Sequence, residues 1–386
     1  MAARPVQGGL CMVMAIALIV IVVGSVLFHF LSPWVATPLA SNWHQMDATL
    51  TITLVITGVF FIGINLFVVW TLLRYRHKEG LRAAYEPNNH KLERRLTLFT
   101  SIGIMALLAP GLFVYAEYVE PPKDALVMEV LGQQWQWRYR FPGPSGKLGL
   151  TDPRFVAGNN PFGIDPGDPN GREDIVVNSN EVHLPLGRPV KVLLRSHDVL
   201  HDFFAPPFRA RMNMVPGMVT SFWFTPTQVG RFEVLCAQLC GMGHSNMRGY
   251  VVVDEPQKFA AWLKEQPTHA MALAPPAAAA VAAAPGDRVA NGKALAQSKG
   301  CVACHTVDGS AGVGPTWKGL FGKTETMADG STAKVDEAYI HDFIRNPSAR
   351  VVKGFQPIMP KLDVSDEEMA ALTAYIASLG GGAARP

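Results

Sequence analysis

The chain has 386 residues, 49% of them hydrophobic, a formal net charge of +3 and a positive mean hydropathy of +0.16. That length exceeds one ordinary domain, and the small charge leaves no basic face for nucleic acid, which is excluded as a partner. The five cysteines are Cys11, Cys236, Cys240, Cys301 and Cys304; four of them form two tight pairs with histidine close by, which points to cofactor ligation before a disulfide framework.

The first predicted element is an apolar run over 10–28, behind a lone Arg4. It exceeds the roughly 7–15 residues of a signal-peptide core, and no small-x-small cleavage site stands near Ala36 or Ala40. A retained transmembrane helix is therefore preferred to a cleaved signal for the segment 1–46, and Cys11 within it reads as inert. The runs 48–73 and 96–119 each exceed the roughly 20 residues that cross a bilayer core, and together they predict a transmembrane hairpin over 47–120. Between them stand Arg74, Arg76, Lys78, Arg82, Lys91, Arg94 and Arg95, whereas 32–46 has no Lys or Arg. The positive-inside rule makes this basic loop cytoplasmic. Everything after Glu120 then lies outside, in a bacterium on the periplasmic face of a multi-pass inner-membrane protein embedded in the lipid bilayer. Pro110-Gly111 predicts a kink in the third helix.

Over 121–265 the pattern changes to short β-type stretches, 125–131, 135–141, 190–194, 221–224 and 250–253, separated by Pro and Gly turns; this predicts an all-β sandwich. The stretch 142–173, rich in Gly, Pro, Asp and Asn, reads as a long surface insertion. From 266 to 285 the chain is mostly Ala and Pro, with Thr268 and His269 among the exceptions, the composition of a tether. The last segment, 286–386, reads as a compact helical unit with a first helix near 290–298 and a last one near 366–379, begun by Ser365 with Glu368 three residues on.

Cys236-Ala-Gln-Leu-Cys240-Gly-Met-Gly-His244-Ser-Asn-Met247 places two thiols, an imidazole and a thioether within a dozen residues, and Ser196-His-Asp-Val-Leu-His201 adds a second imidazole. On the two cysteines alone, a disulfide and a metal site are comparable readings, and a structural zinc site is another. With His201, His244 and Met247 included, the soft donor set favours copper. Two bridging thiolates and one capping histidine per ion need two Cys and two His, and Met247 with the Gln238 carbonyl could complete the weaker positions. His183 and His197 read as ordinary histidines; Met212, Met214, Met218 and Met242 read as packing residues.

The hairpin, Gly132-Gln-Gln-Trp135-Gln-Trp137, Asp198-Val-Leu-His201, Val215-Pro-Gly217 and the cysteine loop together resemble subunit II of haem-copper cytochrome c oxidases over 47–254. The resemblance implies a cupredoxin-like sandwich holding a binuclear CuA centre of two copper ions. It implies His201, Cys236, Gln238, Cys240, His244 and Met247 as ligands, Gln238 through its carbonyl, and Trp135 as the residue that takes electrons from cytochrome c. Glu93 matches a carboxylate near a proton-uptake opening, and it equally fits an interfacial ion pair with Arg94 and Arg95. Two positions depart from the family. Gln238 replaces a glutamate of the Cys-x-Glu-x-Cys loop, which removes a side-chain carboxylate for a magnesium ion, since an amide is a weaker ligand for a hard dication. Gln133 replaces a histidine.

Cys301-Val-Ala-Cys304-His305 is the attachment signature of covalent c-type haem, with His305 as proximal iron ligand. Of the candidates for the distal thioether, Met359 lies at the expected downstream distance within Pro357-Ile-Met359-Pro360; Met327 and Met369 compete. The segment 286–379 resembles class I cytochrome c, with Gly314-Pro315 and Trp317 similar to the loop over the haem edge.

The combined reading is subunit II of a cytochrome c oxidase with a fused haem domain. It accepts electrons from a soluble or membrane cytochrome c, or another donor, and passes them through haem c and CuA to the catalytic subunit I for O2 reduction coupled to proton pumping. Other oxidase subunits are expected partners. The alternatives are an electron-accepting subunit of a haem-copper nitric oxide reductase and a free-standing membrane-tethered electron carrier. The tether is expected to let the haem domain swing or dock.

Overall fold

The computed structural model describes residues 6–32, 37–76, 80, 82, 87–273, 285–362 and 364–380. Lys78 of the basic loop, Ala36 and the stretch 274–284 of the expected tether lie outside them. The chain divides into two compact units, one of residues 1–39 and 43–118, the other of 40–42 and 119–386.

In the first unit three long helices follow the three apolar runs: α1 (Val6–Leu31), α2 (His44–Arg74) and α3 (His90–Val119). All three are long and apolar enough to cross a membrane. Large apolar side chains such as Phe60, Phe67 and Phe113 stand exposed along them, as expected of helices that are apolar all round and face hydrocarbon. Polar side chains turn back onto their own helix, Asn65 Nδ2 donating to the Phe61 carbonyl at 2.7 Å and Thr57 Oγ1 to that of Thr53 at 2.7 Å. Such internal satisfaction is what a solvent without hydrogen-bonding capacity demands. The helix assignment runs unbroken through Pro110.

The second unit opens with ten strands in two five-stranded sheets. Their ranges are β1 (Leu126–Gln133), β2 (Gln136–Phe141), β3 (Ile175–Val177), β4 (Glu181–Pro185), β5 (Val190–Ser196), β6 (His201–Ala205), β7 (Ala210–Met214), β8 (Thr220–Phe224), β9 (Gly230–Cys236) and β10 (Arg248–Asp254). One sheet has the order β3-β2-β1-β5-β8, the other β4-β10-β9-β6-β7. Alternation puts Val190, Val192 and Leu194 inward, and Phe203, Phe222, Phe224, Val234 and Val251 join them with no exposed surface. Parallel pairing of β1 with β5 and of β10 with β4 brings distant segments together. It also sets the β1–β2 turn beside the 196–201 loop, where His197 N–H donates to the Gly132 carbonyl at 2.9 Å.

The insertion is more than surface. It contains α4 (Pro169–Glu173) and buries Phe162 and Ile164 against Leu131 and Val176. Asn160 holds it together, its amide donating to the carbonyls of Phe155 at 3.0 Å and Ile164 at 2.9 Å and its Oδ1 accepting from Ile164 N–H at 2.9 Å. Beneath it Arg140, 2% exposed, joins Asp174 at 2.8 Å and Glu129, which also meets Arg195 at 3.0 Å. Such charges stay buried because each has a partner.

The expected tether starts later than its composition suggests. After α5 (Pro256–Glu265), the Pro267 carbonyl accepts from Val176 N–H at 3.2 Å and His269 N–H donates to the Asp174 carbonyl at 2.7 Å, so the chain pairs with β3 before the short helix α6 (His269–Leu273).

The C-terminal part is built on α7 (Pro285–Ser298) and α9 (Asp366–Ser378), with α8 (Glu337–Arg345) and a hairpin of β11 (Thr324–Thr326) and β12 (Thr332–Lys334). The first helix begins earlier than its pattern predicts. The predicted capping box of α9 is present: Ser365 Oγ accepts from Glu368 N–H at 3.2 Å and Glu368 Oε2 from Ser365 N–H at 2.9 Å. A Cβ at Gly292 would lie 2.0 Å from the Ala371 carbonyl oxygen, so the closeness of α7 and α9 requires glycine there.

Candidate metal and haem centres

Two loops of the sandwich meet at the first centre. His201 begins β6, Cys236 ends β9, and the turn to β10 carries the remaining donors. Cys236 Sγ lies 3.7 Å from Cys240 Sγ, 3.9 Å from His201 Nδ1 and 3.2 Å from the Gln238 carbonyl oxygen. Cys240 Sγ lies 3.6 Å from His244 Nδ1 and 4.0 Å from Met247 Sδ. All six sequence-predicted residues thus come together. A tetrahedral ion bound at about 2.3 Å to sulfur and about 2.0 Å to nitrogen sets its donors roughly 3.5–3.8 Å apart; the sulfur–sulfur spacing of 3.7 Å and the Cys240–His244 spacing of 3.6 Å match this, and the Cys236–His201 spacing of 3.9 Å is slightly longer. His201, Cys236 and Cys240 have donor atoms within 4.8 Å of one another, a set His244 falls outside. Cys236 is paired with the His201 imidazole and Cys240 with that of His244, so two ions sharing both sulfurs could each take one imidazole.

The electrostatics favour one thiolate shared within the sulfur pair. The contact with Cys240 pulls the Cys236 thiol down to about 3, against its burial, with His201 helping. The same contact pushes Cys240 up. His201 Nε2 lies 2.8 Å from Asp198 Oδ1, so Nε2–H donates outward and Nδ1 is left to bind a metal. Burial opposes ionisation of Asp198, but His201 and the N–H groups of Gln134 and Val199 outweigh it and hold the carboxyl below its ordinary value. Asp198 was visible only as part of a motif; its orienting role needed the fold. His183 is structural, stacked 4.5 Å from Trp262 and 2.5 Å from Asp254. Met214 is fully buried as expected, but Met218 and Met242 are 57% and 63% exposed and do not pack.

Trp135 stands at the rim. Its indole N–H donates to the Cys240 carbonyl at 3.2 Å, and Gln134 Nε2 donates to the same oxygen at 2.8 Å. A Cβ at Gly243 would lie 2.3 Å from the indole, so the ring rests directly on the backbone of the cysteine loop.

The second centre is a cavity lined by Cys301, Cys304, His305 and Met359 on the C-terminal side and by Gln134 and Trp135 of the sandwich. His305 Nδ1–H donates to the Pro315 carbonyl at 2.8 Å and the ring stacks on Trp317 at 5.2 Å, leaving Nε2 for iron. Burial holds His305 below its ordinary value, so it stays neutral and able to ligate. Gly314 is needed because a Cβ there would meet His305 at 2.7 Å. Met327 and Met369 are buried in the helical core, 1% and 0% exposed, away from the cavity wall that Met359 joins. Two thiols, an imidazole and a thioether around one apolar cavity suit a covalent haem c. Glu93, on α3, lies 3.2 Å from His90.

Comparison with known proteins adds two family matches: the periplasmic domain of cytochrome c oxidase subunit II over 126–255 and cytochrome c over 289–380. The alternative cytochrome c oxidase subunit 2 of Bradyrhizobium diazoefficiens is 51% identical over 259 residues, 67% of this chain and 94% of the relative. Cytochrome c oxidase subunit 2 of Alkalihalophilus pseudofirmus is 26% identical over 343 residues, 85% of this chain and 83% of the relative. Among solved structures, the periplasmic domain of subunit II of the cytochrome oxidase of Bradyrhizobium japonicum is 28% identical with a TM-score of 0.28, covering 38% of this chain and 95% of that one.

Proposed function

Because this chain belongs to the cytochrome c oxidase subunit II family and carries a cytochrome c domain, we propose that it is the subunit through which electrons reach the catalytic site of a haem-copper oxidase. In this reading the three apolar helices anchor it in a bacterial inner membrane with both outer domains in the periplasm. His201, Cys236, Cys240, His244, Met247 and the Gln238 carbonyl hold a CuA pair. Cys301 and Cys304 would attach one haem c, and His305 and Met359 would hold its iron. When bound, both groups would take up and release single electrons without making or breaking substrate bonds. The catalytic subunit I would use those electrons for O2 reduction coupled to proton pumping.

The observation that carries the reading is the pairing of donors: each thiol has its own imidazole, His201 at 3.9 Å from Cys236 and His244 at 3.6 Å from Cys240. The protein residues do the rest. Asp198 fixes the tautomer of His201, and Pro315 fixes that of His305. Trp135, bonded to the Cys240 carbonyl and lining the haem cavity, bridges the two centres through packed atoms. Gln238 keeps its carbonyl near Cys236 but offers no carboxylate for a magnesium ion.

The deciding experiment is metal and haem analysis of the purified chain with optical and electron paramagnetic resonance spectra. Two coppers per covalent haem, with a mixed-valence signal, are expected. Zinc, or one copper without that signal, would overturn the copper assignment and leave a tethered cytochrome.

A further inference from the structure

Next to Trp135, Gln136 is only 6% exposed although it opens β2 at a turn. What covers it includes the C-terminal domain. Gly300, directly before the haem-attachment cysteines, lies against the Gln136 side chain: a Cβ on Gly300 would be 3.1 Å from Oε1, 3.2 Å from Cδ and 3.6 Å from Cβ of Gln136. Gly300 has φ +73° and caps the short turn Cys301–Ala303. Asparagine tolerates such a backbone, so the turn alone does not dictate glycine; the neighbouring glutamine adds that demand. Gln136 is itself aimed, since its Nε2 lies 3.4 Å from Gln133 Oε1, which also accepts from Arg138 Nη1 at 3.0 Å. That leaves Oε1 turned to Gly300.

We propose that Gln136 is the positioning residue that seats the Cys301 edge of the haem domain on the copper domain, and that Gly300 is glycine so that this seat can close. The inference rests on the electron-transfer reading above and deepens it. The seat produces a run of contacts, Cys301 to Gly300 by covalent bond, Gly300 to Gln136 by packing, Gln136 to Trp135 by covalent bond and Trp135 to the Cys240 carbonyl by hydrogen bond. Gln133 thereby gains a role: where a histidine would add a titratable group, its neutral amide holds Gln136 and Arg138.

The 3.6 Å separation between the Gln136 Cβ and the position of a Gly300 Cβ falls within the roughly 3.5–4.5 Å spanned by disulfides. The test is therefore the double variant Gln136→Cys/Gly300→Cys in the full chain within the oxidase, treated with diamide and mapped for an intrachain cross-link. Gln136→Cys/Gly330→Cys is the control, since Gly330 has the same kind of backbone and no neighbour within 4 Å. We expect cross-linking at least about tenfold faster than in the control, a difference of roughly 1.4 kcal/mol in the encounter. We also expect the locked chain to transfer electrons from haem to copper, after flash reduction, faster than the same double variant before diamide treatment. Cross-linking no faster than the control, or a lock that leaves transfer no faster, overturns the proposal. If Gly300→Cys impairs haem attachment, Gly300→Asn and Gln136→Ala read the same contact: each slows transfer with unchanged haem and copper spectra, and the double variant slows it no further than the worse single. Rates that multiply in the double variant overturn it. Absence of transfer in the wild type, with both centres reducible by a small external reductant, defeats the electron-transfer reading itself and is seen before any variant is made.

Discussion

Gly243→Ala isolates the contact between the cysteine loop and Trp135. Gly243 has φ −85°, so alanine meets no backbone strain. Its added methyl carbon would lie 2.3 Å from Trp135 Cδ2, 2.6 Å from Cε3 and 2.7 Å from Cγ, whereas carbon atoms in contact sit about 3.5–4.0 Å apart. The ring or the loop must retreat by roughly 1 Å or more. The 3.2 Å bond from the indole N–H to the Cys240 carbonyl does not survive that displacement. Overpacking costs about 1–3 kcal/mol and the lost hydrogen bond about 0.5–1.5 kcal/mol, against a gain of about 0.4–1 kcal/mol from a stiffer unfolded chain. The expected net loss is about 2 kcal/mol. Urea titration of the purified chain, followed by tryptophan fluorescence, measures it as a lower midpoint at unchanged slope. Flash reduction of the haem, if the electron route is as proposed, then shows slower delivery to copper in the same variant. A midpoint shift worth less than about 0.5 kcal/mol, typical of an inert surface change, with unchanged fluorescence and transfer, would refute the reasoning.

Three further outcomes follow from the geometry. Asp198→Ala frees His201 to rotate, and copper affinity measured by competition with a chelator is expected to fall about 10–100-fold, as for other outer partners of metal ligands. If the haem is held as proposed, Met359→Ala leaves its attachment through Cys301 and Cys304 in place, so covalent haem should persist on a denaturing gel while redox titration gives a lower potential, the thioether being the ligand that raises it. Asp174 is pushed up to about 6 by burial, despite Arg140. The native state then holds its proton more tightly than the unfolded chain, so this contribution to stability is full below the unfolded value and is lost as pH rises through 6. Asp174→Asn removes that loss, and its stability should rise more steeply, or fall less, between about pH 4 and 6.5 in denaturation experiments; a slope equal to that of the wild type would show that Asp174 does not titrate in this window.

Much of this was readable in the chain because its chemistry is local. Residues 236–247 hold most of the sulfur and imidazole donors of the first centre in one turn, and Cys301 to His305 lie in a single loop. Long apolar runs announce helices wherever they fold. Five strands of the sandwich, β3, β4, β6, β7 and β9, have no counterpart among the predicted stretches, and in three of them the pattern is short or mixed: β3 has three residues, β6 begins with His201-Asp202, and β7 alternates exposed Arg211 and Asn213 with buried or half-buried neighbours. Their identity comes from pairing, His201 with Met214 and Phe203 with Cys236, which no local signal encodes. The same holds for Asp198 and Gln136, whose partners lie on other segments. The insertion looked structureless because its order depends on Asn160 and on two apolar side chains, Phe162 and Ile164, that find their core 31 or more positions back, at Leu131.

The stitching of the tether root to β3 has a further consequence for how far the haem domain can travel. With Pro267 and His269 bonded to the sandwich and α6 ending at Leu273, only the twelve residue steps from Leu273 to Pro285 remain to span any separation. Fully drawn out, they reach about 40 Å. One molecule confined to a sphere of that radius is present at roughly 6 mM, within the millimolar range of short linkers. If electrons pass as proposed, a free carrier at micromolar levels would meet the copper domain far less often than the chain's own haem domain, so cutting the chain between Leu273 and Pro285 should turn a nearly concentration-independent reaction into one that depends on how much carrier is supplied.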